Sequence, residues 1–172
     1  LDNHAERNFL PGQVAIDKLC HLQSVSVCNE HGQLTNNFDV TESVKLKINY
    51  AVLEKNYTYT VHYYVKNSSG DVLFVAMDNK YSPYINDPQE PGNYSEELTI
   101  NSNFFNEGSY SVLVLICTFP TMVDDKFCAY DNALNFTVSD KNLETGARGS
   151  WNREWPASLV RPDFNWVISK IG

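Results

Sequence analysis

Hydrophobic and polar residues alternate with a period of two along most of the chain. In the segment 43–52 the apolar residues Val44, Leu46, Ile48 and Tyr50 take turns with Lys45, Lys47 and Asn49. In the segment 58–66 the residues Tyr59, Val61, Tyr63 and Val65 take turns with Thr60, His62, Tyr64 and Lys66. Because successive side chains of a strand point to opposite faces, both segments are predicted to be half-buried antiparallel strands.

Further strands are predicted between turn signals. The turn 67–71 contains Gly70, which can adopt positive φ, and it joins two strands as a hairpin. Additional strands are predicted at 21–28, 72–78, 94–100, 109–118 and 133–139, with a long proline-containing loop at 79–93. No segment has the pattern of an amphipathic helix. The fold class is therefore predicted to be all-β, an immunoglobulin-like antiparallel β-sandwich.

Length and charge limit the function classes. A chain of 172 residues fits one domain, and its net charge of −8 disfavours nucleic acid and anionic membranes as partners. No apolar run approaches the roughly 18 residues of a membrane span. The polar N-terminus is predicted to be a linker, over residues 1–18, with the sandwich domain at 19–172.

The four cysteines leave two interpretations open. Cys20 and Cys28 cannot pair if they share one strand, because they then lie too far apart. Cys117 and Cys128 could meet across a hairpin. We expect four reduced thiols in a reducing compartment, and a Cys117–Cys128 bridge would instead favour a secreted protein. The strand 43–52 contains no cysteine, which excludes the bridge of an antibody-type domain.

The C-terminal tail, residues 145–172, has a different composition. It contains all three tryptophans and three of the arginines, and alternation returns only near its end. Exposed tryptophans are unfavourable in water, so the tail is predicted to dock on another surface. Its segment 164–169, FNWVIS, has strand character and is predicted to be a C-terminal tail strand.

At this tail the chain resembles a known family. In the order of its motifs, the chain is similar to the C-terminal domain of the ATP-binding subunit of O-antigen polysaccharide ABC transporters. These motifs are, in chain order, GQLTNNFDVTESVKLKINY, VHYYVKNSSGDVLF, NFFNEGSYSVLV, YDNALNFTVSD and the closing GARGSW…WP…LVRPDFNW. The resemblance covers about residues 20–168, and the closing element is its most specific part.

The resemblance implies a function, a location and partners. In that family the sandwich binds the O-polysaccharide, at its modified non-reducing end, and thereby couples chain completion to export. An N-terminal ATPase domain precedes it, and a membrane subunit completes the transporter. Some members form homodimers by exchanging a C-terminal strand. The chain is therefore expected to be a cytoplasmic protein peripheral to the inner membrane, and a homodimer through its tail.

The candidate carbohydrate-binding residues lie on one strand face and in one loop. Sugars need flat aromatic surfaces and planar polar groups. The face with Thr60, His62, Tyr64 and Lys66 supplies both types, and Asn135 and Thr137 extend it if their strand joins the same sheet. Tyr81 and Tyr84 in the long loop are secondary candidates.

No catalytic, cofactor or metal site is predicted. The chain has no GxxxxGK[ST] phosphate loop, no GxSxG and no HExxH motif, and its four histidines are scattered. Glu96 and Glu97 are adjacent on a strand, so they point to opposite faces and cannot flank one glycosidic bond. The alternatives to glycan binding are an immunoglobulin-like adhesion domain, secreted or on the cell surface, and a purely structural dimerisation module.

Overall fold

The structure is a computed structural model that describes residues 5–13, 19–119, 128–141 and 146–171. Nine strands are described in chain order: β1 (Glu6–Asn8), β2 (Cys20–Cys28), β3 (Asn37–Asp39), β4 (Val44–Val52), β5 (Thr58–Asn67), β6 (Val72–Met77), β7 (Gly92–Ile100), β8 (Gly108–Phe119) and β9 (Cys128–Ser139). A short 3-10 helix, Asp78–Lys80, follows β6. The remaining described segments are turns and extended chain.

The strands form two packed sheets. One sheet has the order β1-β2-β4-β7, and the other has the order β3-β9-β8-β5-β6. All pairings are antiparallel except that of β3 with β9, which is parallel. The prediction of an all-β sandwich is confirmed. Strands β6 and β7 are each the last strand of their sheet, and both contribute residues to one lateral opening of the sandwich.

The predicted inward faces form the core. The side chains of Val44, Leu46, Ile48 and Tyr50 on β4 and of Tyr59, Val61, Tyr63 and Val65 on β5 are all at most 4 % exposed. The alternate residues of β4 are half-buried, as expected for an outer face. The hairpin is also present, with Asn67 and Asp71 joined by backbone hydrogen bonding and Gly70 at a φ of 86°.

Strands β1 and β3 lie outside the predicted strands, and β9 begins well before its predicted range. β9 begins at Cys128, and a register shift near Val112 and Val114 accommodates the additional residues. β1 lies within the segment 1–18 and pairs with β2. Part of that segment therefore packs on the sandwich, while its connection to an ATPase domain stays a prediction.

The cysteines are buried thiols, and the register of the strands separates Cys117 from Cys128. Cys128 is paired with Ile116, so its side chain shares the inward face of that buried residue. Cys117 is paired with Thr60 and lies on the other face of the sheet. The two side chains point in opposite directions, and this strand register does not allow the Cys117–Cys128 bridge that would have favoured a secreted protein.

The first half of the tail docks on the sandwich through a buried ionic network. The Asp140 carboxylate accepts hydrogen bonds from Arg148 at 2.5 Å and from Arg161 at 2.7 Å. The side chains of these three residues are at most 5 % exposed. The Arg161 guanidinium also lies 4.4 Å from the ring centre of Trp155. The expected docking of the tail is thus observed for residues 146–161.

The second half of the tail projects from the domain. Trp166, Val167, Ile168 and Ile171 are 81–94 % exposed. Within the described tail, the bridge of Val160 to Phe105 is the one strand-like pairing, and residues 164–169 are extended chain outside any sheet. In the single chain, the predicted tail strand is therefore unpaired. Across the described ranges, no helix is long and apolar enough to cross a membrane.

Candidate functional site

The outer face of the five-stranded sheet carries side chains in rows that cross its strands. One row runs from Asn135 on β9 through Ser111 on β8 to Lys66 on β5. The neighbouring pair on β8 and β9 is Ser109 with Thr137. This register places Asn135 and Thr137 on the same sheet face as Lys66.

A groove of about 410 Å³ lies over these polar rows. The residues that line it come from β5, the 67–71 turn, β8 and β9: Lys66, Asn67, Ser68, Gly70, Ser109, Tyr110, Ser111, Asp131, Asn132, Asn135, Phe136 and Thr137. Tyr110 and Phe136 are almost fully buried, so they form its floor. The accessible lining consists of hydroxyl, amide, carboxylate and ammonium groups, which can hydrogen-bond a hydroxyl-rich ligand.

Lys66 and Asp131 form the charged part of the groove. The Lys66 ammonium donates to Asp131 Oδ1 at 2.9 Å, and the Asp131 side chain is 56 % exposed. This hydrogen bond lowers the pKa of Asp131, so the carboxylate stays ionised near neutral pH. The pair presents a donor and an acceptor side by side without a net charge.

His62 and Tyr64 share the outer face but lie outside the lining of the groove. His62 Nε2 lies 3.1 Å from Thr60 Oγ1 and 3.6 Å from Cys117 Sγ. Burial lowers the pKa of His62, which keeps the imidazole neutral. Tyr64 lies between Leu113 and Val75 in the sheet register, in the apolar middle of the face. Of the predicted strand residues, the structure brings Lys66 and Asn135 together at the groove.

Neither loop tyrosine lines the outer groove. Tyr84 is 37 % exposed and packs edge-on against Tyr94 of β7. Tyr81 is 78 % exposed and lines a second cavity, of about 400 Å³, between β6 and β7. The structure therefore does not place Tyr81 and Tyr84 with the residues of the outer groove.

The second cavity, here called the edge cavity, has polar groups set in apolar walls. Val61, Ala76, Met77 and Leu98 form walls, and Tyr63, Asp78, Tyr81, Glu96 and Glu97 complete the lining. Glu96 accepts the Tyr50 hydroxyl at 2.6 Å, and Asp78 Oδ1 accepts the Val61 amide at 2.9 Å. The Tyr63 hydroxyl is buried and has no hydrogen-bond partner among the described residues. Glu96, when protonated, donates a hydrogen bond to the Asp78 carboxylate.

Burial governs the protonation of the two carboxyls in the edge cavity. Burial, together with the neighbouring Asp78, raises the pKa of Glu96 to about 7. Burial also raises the pKa of Asp78. Glu97 points outward and pairs with Lys45 at 3.1 Å, so it is not part of this carboxyl pair.

Several site residues were not predicted from the sequence. Asp131 and Asn132 interrupt the alternation of β9, and Asn132 has a φ of 50°. An Asp-Asn pair beside a strand is typical of a β-bulge or turn within the strand. This signal could have extended the predicted strand 133–139 towards Cys128. Asp78 and Glu96 gave no such signal, because they are distant in sequence. Among the described residues, no group of three or more His, Cys, Asp or Glu side chains could hold a metal ion.

Two solved structures align with the chain, and the first of them supports the fold. The structure titled "Crystal structure of the C-terminal domain of wzt" aligns with a TM-score of 0.63 at 7 % identity, over 95 % of this chain and 93 % of that one. A β-glucosidase from Listeria innocua, in complex with gluconolactone, aligns with a TM-score of 0.36 at 7 % identity, over 66 % of this chain and 16 % of that one. No curated protein sequence matches the chain significantly.

The sequence also matches a family model. The model of the Wzt C-terminal domain matches residues 18–148, which is most of the chain. The match begins near β2 and ends at Arg148, the first arginine of the buried network. The chain therefore belongs to the Wzt C-terminal domain family, and this membership supports a carbohydrate-binding role in an O-antigen transporter.

Proposed function

We propose that this domain binds the O-antigen polysaccharide, without catalysis, in the outer groove, and that it recognises the modified non-reducing end of the chain. The observation that carries the proposal is the row Asn135–Ser111–Lys66 with Asp131, which offers amide, hydroxyl, ammonium and carboxylate groups in one open groove. Such groups bind sugar hydroxyls in donor and acceptor pairs. In the full transporter, binding would occur on the cytoplasmic side and would couple chain completion to export.

The assignment of residues follows from their positions. Lys66 and Asn135 are expected to contact sugar directly, while Tyr64 offers a partly buried ring on the same sheet face. His62 is expected to contribute less, because its ring already contacts Thr60 and Cys117. Tyr81 and Tyr84 are not expected to contact a ligand in this groove.

Titration with the O-polysaccharide of the source strain tests the proposal. Lys66→Ala and Asn135→Ala should each weaken binding about tenfold, which corresponds to about 1.4 kcal/mol for one lost polar contact. Lys47→Ala is the matched control, because Lys47 lies on β4 in the other sheet. Unchanged affinity in both groove variants would contradict this site, and the absence of any binding by the native chain would contradict the function.

A second part of the proposal is that the domain forms a homodimer through its projecting tail. The apolar side chains of Trp166, Val167, Ile168 and Ile171 are unfavourable in water, and the segment has the composition of a strand. A partner's sheet edge would satisfy its backbone and cover these side chains, and a two-fold exchange would close the assembly.

Light scattering on the full chain and on a version ending at Arg161 tests the dimer. The shortened version keeps the Asp140 network, so loss of the dimer cannot be attributed to loss of the fold. We expect a dimer for the full chain and a monomer of unchanged thermal stability for the shortened one. A monomeric full chain at micromolar concentration would refute the exchange.

A further inference from the structure

We propose that the edge cavity is a second ligand site that takes a protonated amine carried by a sugar residue. This inference rests on the carbohydrate-binding function proposed above, and it adds a substrate class and a location. The site is distinct from the outer groove, because it opens between the edges β6 and β7 and shares no lining residue with that groove.

The cavity contains unused hydrogen-bonding capacity. The Tyr63 side chain is only 4 % exposed, and its hydroxyl has no partner among the described residues. Native structures rarely leave a buried polar group unsatisfied without a reason. Asp78 and Glu96 hold one proton between them, which Glu96 donates to Asp78. A ligand that donates hydrogen bonds in the cavity would satisfy the Tyr63 hydroxyl and could take the place of the shared proton.

Charge also favours a cationic ligand. The titratable groups that interact with the carboxyl pair are the hydroxyls of Tyr50 and Tyr63 and the thiol of Cys117, and none of them is cationic. Among the described residues, no lysine or arginine forms an ion pair with Asp78 or Glu96. Two carboxyls without a cation retain a proton, and an ammonium group can replace that proton. When the ammonium group binds, the pair would release its shared proton to solvent. The positive charge of the ligand would then replace the positive charge of that proton.

The shape and the walls of the cavity suit a sugar ring. A volume of about 400 Å³ lies within the range of small-molecule sites. Val61, Ala76 and Leu98 provide apolar surface for the C–H faces of a sugar ring. At the opening, the exposed ring of Tyr81 adds an aromatic surface for the same faces.

An NMR titration of the full chain tests the site with three probes. Methyl glucosaminide should shift the amide signals of Val61, Ala76 and Leu98, whereas methyl N-acetylglucosaminide and methyl glucoside should bind at least about tenfold more weakly. Affinity for the amine should rise roughly tenfold from pH 5.5 to pH 7, as the carboxyl pair loses its proton. Equal binding of the three probes, or shifts elsewhere only, would overturn the proposal.

Variants connect the binding to the carboxyl pair. Glu96→Gln and Asp78→Asn should each weaken binding of the amine about tenfold and flatten its pH dependence. Asn at position 78 retains an oxygen for the Val61 amide, so at least one variant keeps the fold. Glu30→Gln, an exposed turn position, is the matched control for the change in charge. Normal amine binding by both cavity variants would overturn the site.

Two further arms separate this proposal from its alternatives. Lysine amide acetylated at its α-nitrogen keeps its side-chain ammonium and serves as a peptide-like probe. If it binds more tightly than the amino sugar, the sugar assignment is wrong and a protein partner is indicated. Loss of polysaccharide binding in Lys66→Ala with amine binding retained supports two separate sites. If the amine fails to bind while the polysaccharide binds in the outer groove, only the edge cavity proposal is wrong.

Discussion

Two clusters of buried carboxyl groups in this domain have opposite surroundings. Asp140 lies between Arg148 and Arg161, and its charge is balanced by two guanidinium groups. Asp78 and Glu96 instead lie beside tyrosine hydroxyls, and burial raises the pKa of both carboxyls. The first cluster fixes the tail to the sandwich. The second is joined by a shared proton and borders the edge cavity. A buried carboxylate that two arginines neutralise can only hold the fold together, whereas a proton-sharing pair beside a cavity can exchange its proton for the cation of the ligand that we propose.

The largest effect is expected for Asp140→Ala. The substitution leaves two buried guanidinium groups without their anion, which should reduce the free energy of unfolding by about 3–5 kcal/mol. Urea denaturation measures the loss. Asp131→Ala is the control, because that carboxylate is 56 % exposed and should cost at most about 1 kcal/mol. Equal losses in the two variants would remove the distinction between the buried network and a surface ion pair.

Gln89→Leu should have the next largest effect. The Gln89 side chain is 1 % exposed, accepts the Tyr59 amide at 2.9 Å and donates to the Tyr50 hydroxyl at 3.0 Å. Leucine leaves the Tyr59 amide unpaired, which should cost about 2–3 kcal/mol in unfolding free energy. Gln23→Leu, at a position with one exposed hydrogen bond, should change stability by at most about 0.5 kcal/mol. Gln89 also positions the Tyr50 hydroxyl that donates to Glu96. A loss of unfolding free energy below 1 kcal/mol in Gln89→Leu would contradict this positioning role.

The stability of the ligand-free chain should fall between about pH 4.5 and pH 7. The pKa of Glu96 is about 7 in the folded chain and 4.5 in the unfolded one, so the folded state binds more protons in this window. The free energy of unfolding therefore falls as pH rises, by about 2–3 kcal/mol for a shift of this size. Denaturation series at pH 4.5 and pH 8 should show this loss in the native chain and a smaller one in Glu96→Gln. A loss of the same size in the variant would assign it to other groups.

The smallest effect is expected for Tyr63→Phe. The hydroxyl has no partner in the ligand-free chain, so its removal should change stability by less than about 0.5 kcal/mol or stabilise the fold slightly. Tyr59→Phe is the matched control, since its hydroxyl donates to the carbonyls of Leu19 and Glu54 and should cost about 1–2 kcal/mol. A thermal shift assay distinguishes the two. A large loss at Tyr63 would mean that its hydroxyl is already satisfied within the fold.

The sequence by itself determined the strands and the inward faces. The alternation in β4 and β5 predicted which side chains are buried, because a strand that packs on one face must repeat with a period of two. Gly70 marked the hairpin, and the tryptophan-rich tail marked a segment that has to dock. The order of motifs also indicated the family, to which the chain belongs.

The tertiary structure decided which distant residues meet. His62, Tyr64 and Lys66 share one strand face, but only Lys66 lines the groove, because the groove lies over the end of the sheet where β9 is irregular. Arg161 donates a hydrogen bond to Asp140, which lies 21 residues earlier in the chain. Asp78 lies beside Glu96, although the two residues belong to the edges of different sheets. Periodicity reports the direction of a side chain relative to its own strand. Register, sheet order and the path of the tail set its neighbours, and these arise from packing between segments that are far apart in the chain.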